Sequence, residues 1–279
     1  MTIRTYIRSQ SRIGYDRRYD DKVFAPDTRC IEMVDYVGTG DKPFGEDEGP
    51  ANYFGVYYCR SESFYRTFAN ATFGGPCIVD IGEFPAEAYD ESGEAITDTR
   101  INMASAFRRS DLEILPHGCS RYLIDNMNNM FEGCKKLRNW TPQEMEASGL
   151  ANVRDPAAPR ILKSNGIAES AFLYNLAPET MRYAFAGCLS YSGKALNAIS
   201  WARLKNAKAA EGFAQGCQFE PYRLDALVGW IHREAIVLKR VRTPLLNVDL
   251  GAGRVTGEVA KQARELIEFG IQLTGFDIN

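Results

Sequence analysis

The sequence has no long apolar run, no C-x-x-C pair and only two histidines. Because no stretch of about 18 consecutive apolar residues occurs, we predict no transmembrane helix and no insertion into a membrane. The basic N-terminus is not followed by an apolar stretch, so we expect no secretory signal. The sequence also lacks the motifs of P-loop, dinucleotide-binding and zinc-protease sites. These absences predict a protein without cofactor or metal and without enzymatic activity.

The chain also has little charge of either sign in excess. Lys and Arg number 33 against 36 Asp and Glu, which gives a net charge of -3. The arginine-rich first 29 residues are followed directly by an acidic stretch from 30 to 52. Nucleic-acid binding depends on a basic surface that neutralises phosphates. We therefore predict that nucleic acid is not a partner. Residues 1–55 are predicted to form an extended arm and cap, with a solvated, flexible terminus as the alternative.

The two histidines have no obvious chemical role. His117 lies in a Pro-His-Gly sequence, which predicts a turn, and His232 ends an apolar segment that reads as a helix. Neither lies in a sequence context typical of a histidine paired with a serine or cysteine nucleophile, so we predict structural roles for both. The seven cysteines are an odd number, and a disulfide framework is not expected without secretion. We expect small buried thiols, and the sequence leaves open the redox state of Cys30, Cys59, Cys77 and Cys119.

One pattern occurs five times along the chain. Each copy centres on a phenylalanine, with an apolar residue four positions earlier, which predicts one buried face of a short helix. The predicted core residues are Phe68, Phe107, Phe131, Phe185 and Phe213, with Met103, Met127 and Met181 before three of them. Small polar residues follow each phenylalanine within two to four positions and predict a ladder of hydrogen bonds at the turns: Asn70, Ser110, Cys134, Cys188 and Cys217.

These windows resemble a known family. DNMNNMFEGCKKLRNW, from Asp125 to Trp140, is similar to the BspA-like leucine-rich repeats of the Met-Phe-x-x-Cys subtype. The interval from Trp201 to Phe213 and the segment from Val248 to Phe276 resemble a further repeat and the terminating segment of that family. The resemblance implies an α/β fold, an irregular leucine-rich-repeat solenoid of about five repeats with short parallel strands and caps at both ends.

The resemblance and the local signals divide the chain into three parts. We predict a solenoid over 56–222, with insertions at 82–100 and 141–179, and a C-terminal cap over 223–279. Strands are predicted at 77–81 and 112–115 and a final strand from Leu245, and a helix is predicted to begin at Thr141. Another helix should run from Gly257 to about Phe269, with Thr256 as its N-cap and Gly270 at its end. Its predicted inner face consists of Val259, Ala263, Leu266 and Ile267.

The family implies a role in adhesion or docking. We predict a non-catalytic structural protein of a bacteriophage virion, a capsid decoration or a tail or fibre protein, made in the host cytoplasm. Its expected partners are capsid or tail proteins and copies of itself, with a host surface receptor or glycan as a further partner. One alternative is a BspA-like adhesin on a bacterial cell surface. Another is a polysaccharide-cleaving fibre domain, because the chain has many carboxylates that could form a catalytic pair.

Overall fold

The computed structural model describes residues 64–76, 78–81, 100–118, 123–138, 176–193 and 199–279, together with strands at 4–9 and 30–35 and the single residues Val23 and Leu196. The helix predicted at Thr141, and the two predicted insertions apart from their ends, lie outside the described residues. Within that part of the chain, all strand pairs are parallel.

The described strands are short and form four sheets. The largest joins β1 (Arg4–Ser9), β2 (Cys30–Asp35), β3 (Ile78–Ile81) and β5 (His117–Gly118) in the order β1-β2-β3-β5. The register places Cys30 beside both Arg4 and Ile78. β4 (Arg100–Asn102) pairs with β6 (Leu123–Asn126), and an isolated bridge extends this ladder from Asn126 to Thr180. Short strands therefore precede several of the phenylalanine windows and lie side by side.

Each phenylalanine window forms one compact unit of eight residues, which we call a coil. Coils 1 to 5 cover residues 64–71, 103–110, 127–134, 181–188 and 210–217. Their backbones are chains of overlapping turns with i to i+3 hydrogen bonds, for example from the amide of Met130 to the carbonyl of Met127 at 3.1 Å. In every coil two residues have positive φ; in coil 3 these are Asn129 at 57° and Gly133 at 76°. The short helix predicted for each window is therefore wrong.

Hydrogen bonds between coils explain why turns replace helices. Four amides of coil 1 donate to carbonyls of the next segment, one to the residue directly before coil 2 and three to coil 2 itself. The same arrangement joins coil 2 to coil 3, coil 3 to coil 4 and coil 4 to coil 5, at 2.6–3.1 Å. At the third junction the donors are the amides of Met127, Asn129, Phe131 and Gly133. An α-helix would use these amides internally. Since every second amide instead points to the next coil, the chain cannot close i to i+4 bonds.

The C-terminal part contains the two α-helices among the described residues. α1 covers Pro221–His232 and continues into a π-helical turn at Arg233–Val237. α2 covers Gly257–Phe269, follows Thr256 and ends at Gly270, whose φ is 107°, which confirms the predicted bounds. The buried residues of α2 are Ala260, Ala263 and Leu266. Val259 is only partly buried, and the predicted inner position of Ile267 is wrong, because its side chain is 44% exposed.

Two strand predictions and one turn prediction need correction. β7 (Leu245–Asp249) is not the final strand, because β8 (Arg254–Val255), β9 (Ile271–Thr274) and β10 (Asp277–Ile278) follow. β9 pairs with β7 and β10 with β8, which is a long-range pairing that local patterns do not reveal. Residues 112–115 form only a single bridge, between Ile114 and Arg138. His117 belongs to β5 and lies opposite Asp80, so the predicted Pro-His-Gly turn is absent.

One buried cluster connects the coils with the C-terminal helices and strands. The predicted core phenylalanines and Met103, Met127 and Met181 have no exposed surface. Trp201, which also has no exposed surface, lies between coils 4 and 5 in the sequence. The centroid of its ring lies 5.6 Å from that of Phe213. The apolar interior is therefore continuous from coil 1 to α2.

Truncation of a central phenylalanine tests this interior. Phe131→Ala should lower the free energy of unfolding by about 3–5 kcal/mol, because a large side chain is removed from a site that cannot collapse. Leu189→Ala is the control, since that side chain is 55% exposed, and it should cost about 0.5 kcal/mol or less. Chemical denaturation measures both. Equal small losses for the two variants would contradict the position of the core.

Candidate functional site

The phenylalanines of coils 1 to 4 form a column of rings. Phe68 and Phe107 stack with centroids 5.4 Å apart and planes 8° apart, and Phe107 and Phe131 at 5.5 Å and 10°. Phe131 and Phe185 follow at 5.3 Å and 29°. Offset stacking at such distances adds stability beyond the burial of area. The column extends through coils 1 to 4 and consists of apolar rings alone.

Coil 5 departs from the column by one position. Alignment of Gly187-Cys188 with Gly216-Cys217 places Ala214 at the position of Phe185, and Phe213 at that of Ala184. Gly212 and Gly216 have positive φ, as Tyr183 and Gly187 do in coil 4, and this supports the alignment. Phe213 consequently meets Phe185 edge-on, at an interplanar angle of 71°. The backbone register of the coil therefore takes precedence over the position of the aromatic ring.

Three cysteines form a second ladder beside the rings. The Cys134 thiol donates to the carbonyl of Phe107 at 2.9 Å, Cys188 to Phe131 at 3.1 Å, and Cys217 to Phe185 at 3.0 Å. The Ser110 hydroxyl lies 3.6 Å from the Cys134 sulfur. Burial raises the pKa of Cys134 and of Cys217 to about 12 and also raises the pKa of Cys188. The thiols therefore remain protonated donors, unlike the thiolates that act as nucleophiles or metal ligands.

Asn70 does not belong to this ladder. It lies two residues after Phe68, has a φ of 55° and is exposed, and so occupies the position of Arg109 and Gly133 in the next coils. Ala71 takes the ladder position in coil 1 and is 1% exposed. Asparagine tolerates the left-handed conformation better than most residues, which accounts for its place at the turn. The prediction for Asn70 is therefore wrong.

The exposed side of coils 2 to 5 carries a polar surface that the sequence patterns did not reveal. We define this outer surface by Arg108, Arg109, Glu132, Arg182, Tyr183 and Glu211. Arg108 donates two hydrogen bonds to Glu132 of the next coil, at 2.8 and 3.1 Å, and Arg182 donates to Glu211 at 2.7 Å. Once the coils are aligned on their last residues, Ser110, Cys134, Cys188 and Cys217, these opposite charges fall at equal positions in neighbouring coils. That alignment is the signal that would have predicted them.

The outer surface combines rigid pairs with an accessible cation. Arg109 is 64% exposed, and its guanidinium lies 3.9 Å from Glu132, a carboxylate already engaged by Arg108. The Tyr183 ring lies against Gly212, where an added Cβ would overlap the ring. Exposed ion pairs contribute little to stability. Arginine and tyrosine are, however, the residue types enriched where proteins bind other proteins. The outer surface is therefore the candidate site, and it suits binding.

Two groups of titratable side chains lie elsewhere. His232 contacts Glu265 at 2.6 Å, and Glu234, which has no exposed surface, contacts the Ser200 hydroxyl at 3.1 Å and Arg240 at 3.1 Å. Each contact joins α1 or the π-helical turn to another segment. Among the described residues, no group of three or more His, Cys, Asp or Glu side chains could hold a metal ion. No helix in the same part of the chain is long and apolar enough to cross a bilayer.

No family model, no curated protein and no solved structure matches this chain. The likeness to BspA-like repeats therefore remains a prediction from the residue pattern. The function has to be argued from the coils, their junctions and the outer surface.

The contact between Tyr183 and Gly212 gives a matched pair of variants. Gly212→Ala and Gly216→Ala both place a Cβ at positive φ, but only the first places it against a ring, whereas Gly216 has open space beside it. Gly212→Ala should therefore cost about 1–3 kcal/mol more. In a Tyr183→Ala background the two costs should become equal. Chemical denaturation of the six proteins, the parent and the Tyr183→Ala variant each with and without either glycine change, provides the measurement. An unchanged difference in the Tyr183→Ala background would contradict the contact.

The buried thiols predict a loss of stability at high pH. Their pKa is higher in the folded chain than the ordinary 9.0, so the folded state retains protons that the unfolded state releases. The contribution of these thiols to the free energy of unfolding should be constant below pH 9. Between pH 9 and about 12 it should fall by about 1.4 kcal/mol per pH unit for each thiol. Cys134→Ser removes one titrating group and should flatten the slope. An identical slope in both proteins would contradict the role of Cys134.

Proposed function

We propose that this chain is a non-catalytic interaction protein, built as an irregular leucine-rich-repeat solenoid of the BspA-like type, and that it serves as a structural component of a bacteriophage virion. The observation that carries the proposal is the unbroken series of four inter-coil junctions, each with four backbone hydrogen bonds. Stacked units that contact only their neighbours are the defining property of repeat proteins. Such stacks present long surfaces and are commonly used for binding.

The chemistry of the coils supports binding over catalysis. The interior positions are occupied by rings, methionines and protonated thiols, which serve packing and hydrogen bonding. The outer surface offers arginine, glutamate and tyrosine on a backbone that neighbouring coils hold in place. A rigid surface loses little conformational entropy when a partner binds. These features suit docking to another protein.

The state of the cysteines supports assembly in a reducing compartment. Cys134, Cys188 and Cys217 are free, buried and used as hydrogen-bond donors. A disulfide would remove the S–H donor that gives each of these carbonyls a second hydrogen bond beside the one from a backbone amide. Proteins that mature in oxidising compartments more often use cysteine in disulfides. The thiol ladder thus favours a virion protein made in host cytoplasm over a secreted adhesin, while the virion role itself rests on the family resemblance.

Purified virus particles provide the test. Mass spectrometry of density-gradient-purified particles from a host that produces this chain should find it at a constant ratio to the major capsid or tail protein. If the outer surface docks the chain, Arg109→Glu should reduce that ratio about tenfold or more, since it places a like charge beside Glu132 and removes the accessible cation. Lys261→Glu is the matched control, because Lys261 is also 64% exposed but lies on α2.

Each outcome of that experiment is decisive. The control variant should enter particles like the parent, and all three proteins should have the same melting temperature within error. A chain found only in the soluble fraction or only in the cell envelope would contradict the virion role. Equal incorporation of the Arg109 variant and the parent would contradict the outer surface as the docking site.

A further inference from the structure

The outer surface carries one charge that its own side chains leave unbalanced. Of its three arginines, Arg108 and Arg182 pair with glutamates of the next coil. The Glu132 carboxylate accepts hydrogen bonds from Arg108 at 2.8 and 3.1 Å and from the Asn129 side chain at 2.6 Å. The Arg109 guanidinium, at 3.9 Å from Glu132, is too distant for a hydrogen bond. The positive charge in excess on this surface therefore lies on Arg109.

The guanidinium of Arg109 is open to a partner although the base of its side chain is held. Among the described residues, none accepts a hydrogen bond from this group, and the side chain is 64% exposed. The stem lies against Gly133 of the next coil, where an added Cβ would be 3.2 Å from the Cγ of Arg109. The backbone amide of Arg109 donates to the carbonyl of Glu132 at 2.7 Å. A side chain fixed at its base loses less conformational entropy when its head group binds.

Arginine is an unexpected residue type at this place in the coil. The seventh residue of every coil has a positive φ. In the other four coils it is asparagine or glycine, at Asn70, Gly133, Gly187 and Gly216. Those two types tolerate the left-handed conformation, whereas arginine, here at 56°, is disfavoured in it. The backbone therefore does not account for Arg109, and its side chain is the part to explain.

The number of charges decides which anion suits Arg109. A guanidinium presents a planar fork of donors that matches the two oxygens of a carboxylate. A carboxylate carries one negative charge, which balances the one charge in excess. A phosphate monoester carries nearly two, and its second charge would lie close to Glu132 without a cation to balance it. The outer surface therefore suits a carboxylate better than a phosphate.

We propose that Arg109 determines what the outer surface docks to, and that its ligand is an aspartate or glutamate carboxylate in an acidic segment of the neighbouring protein. Two parallel hydrogen bonds join the guanidinium to that carboxylate. A protein segment fits better than a free acid, because a small acid would leave Tyr183 and the two arginine–glutamate pairs uncovered. The inference rests on the proposed function, since it takes the outer surface as the docking site, and it adds the chemistry of the partner.

An NMR titration of the full chain tests the carboxylate. The probe is a capped tri-glutamate peptide, and the signals followed are the Nε–H group of Arg109 and the backbone amide of Gly133. Both should shift along a saturable curve with tri-glutamate, and neither should shift with capped tri-glutamine at the same ionic strength. Arg254 of β8 is the internal control, because it is also exposed but lies outside the outer surface. Its Nε–H group should report binding at least about fivefold weaker, as expected of an isolated exposed charge.

Two variants separate the fork from the charge. Arg109→Lys keeps the charge but cannot form two parallel hydrogen bonds, so binding followed at Gly133 should weaken at least about fivefold. Arg109→Gly places at this position the residue type that the backbone favours, and it should abolish the response of Gly133 without lowering the melting temperature.

Several results would overturn the proposal. They are equal affinities at Arg109 and Arg254, an equal response to tri-glutamine, unchanged binding by Arg109→Lys, and tighter binding of inorganic phosphate than of tri-glutamate. If tri-glutamate does not bind but Arg109→Glu still lowers incorporation into particles, the docking site stands and the carboxylate is wrong. If tri-glutamate binds but the chain is absent from particles, the virion role is wrong and the recognition of carboxylates stands.

Discussion

The structure depends on one constraint, the lateral use of alternate backbone amides. In each coil the amides two apart donate to carbonyls of the next coil, as those of Phe131 and Gly133 do to Ala184 and Ala186. A helix is then impossible, and residues at two positions of each coil must adopt positive φ. The spacing of hydrogen-bonded backbones also brings the phenylalanine rings to 5.3–5.5 Å from one another. The packing of the rings and the ladder of thiols follow from the same geometry, because every coil repeats the same lateral hydrogen bonds.

Burial was predictable from the sequence, whereas conformation was predictable only where signals are local. Large apolar side chains at a fixed interval indicated the core, and Thr256 and Gly270 marked the ends of α2. An apolar pair at i and i+4 does not distinguish a helical turn from overlapping turns, so the coils were assigned wrongly. In coil 5 the glycines and Cys217, and not Phe213, mark the register. The pairing of β9 with β7 joins distant segments and had no local signal.

Interior and exterior have separate tasks in this chain. The rings, methionines and thiols stabilise the stack and are inaccessible. The arginine–glutamate pairs contribute little to stability because their side chains are partly exposed to solvent. They nevertheless fix side-chain positions across the junctions between coils. A candidate site made of such pairs becomes visible only after the coils are aligned, because Arg108 and Glu132 are 24 residues apart in the sequence.

The most direct test of the account is amide hydrogen exchange resolved by residue, measured across a series of low denaturant concentrations. If lateral bonds unite the coils, the amides of Phe68, Phe107, Phe131 and Phe185 should all be protected and should merge into one opening reaction as denaturant rises. Fast exchange of these four amides, or four unrelated opening free energies, would contradict the stack as a single cooperative unit.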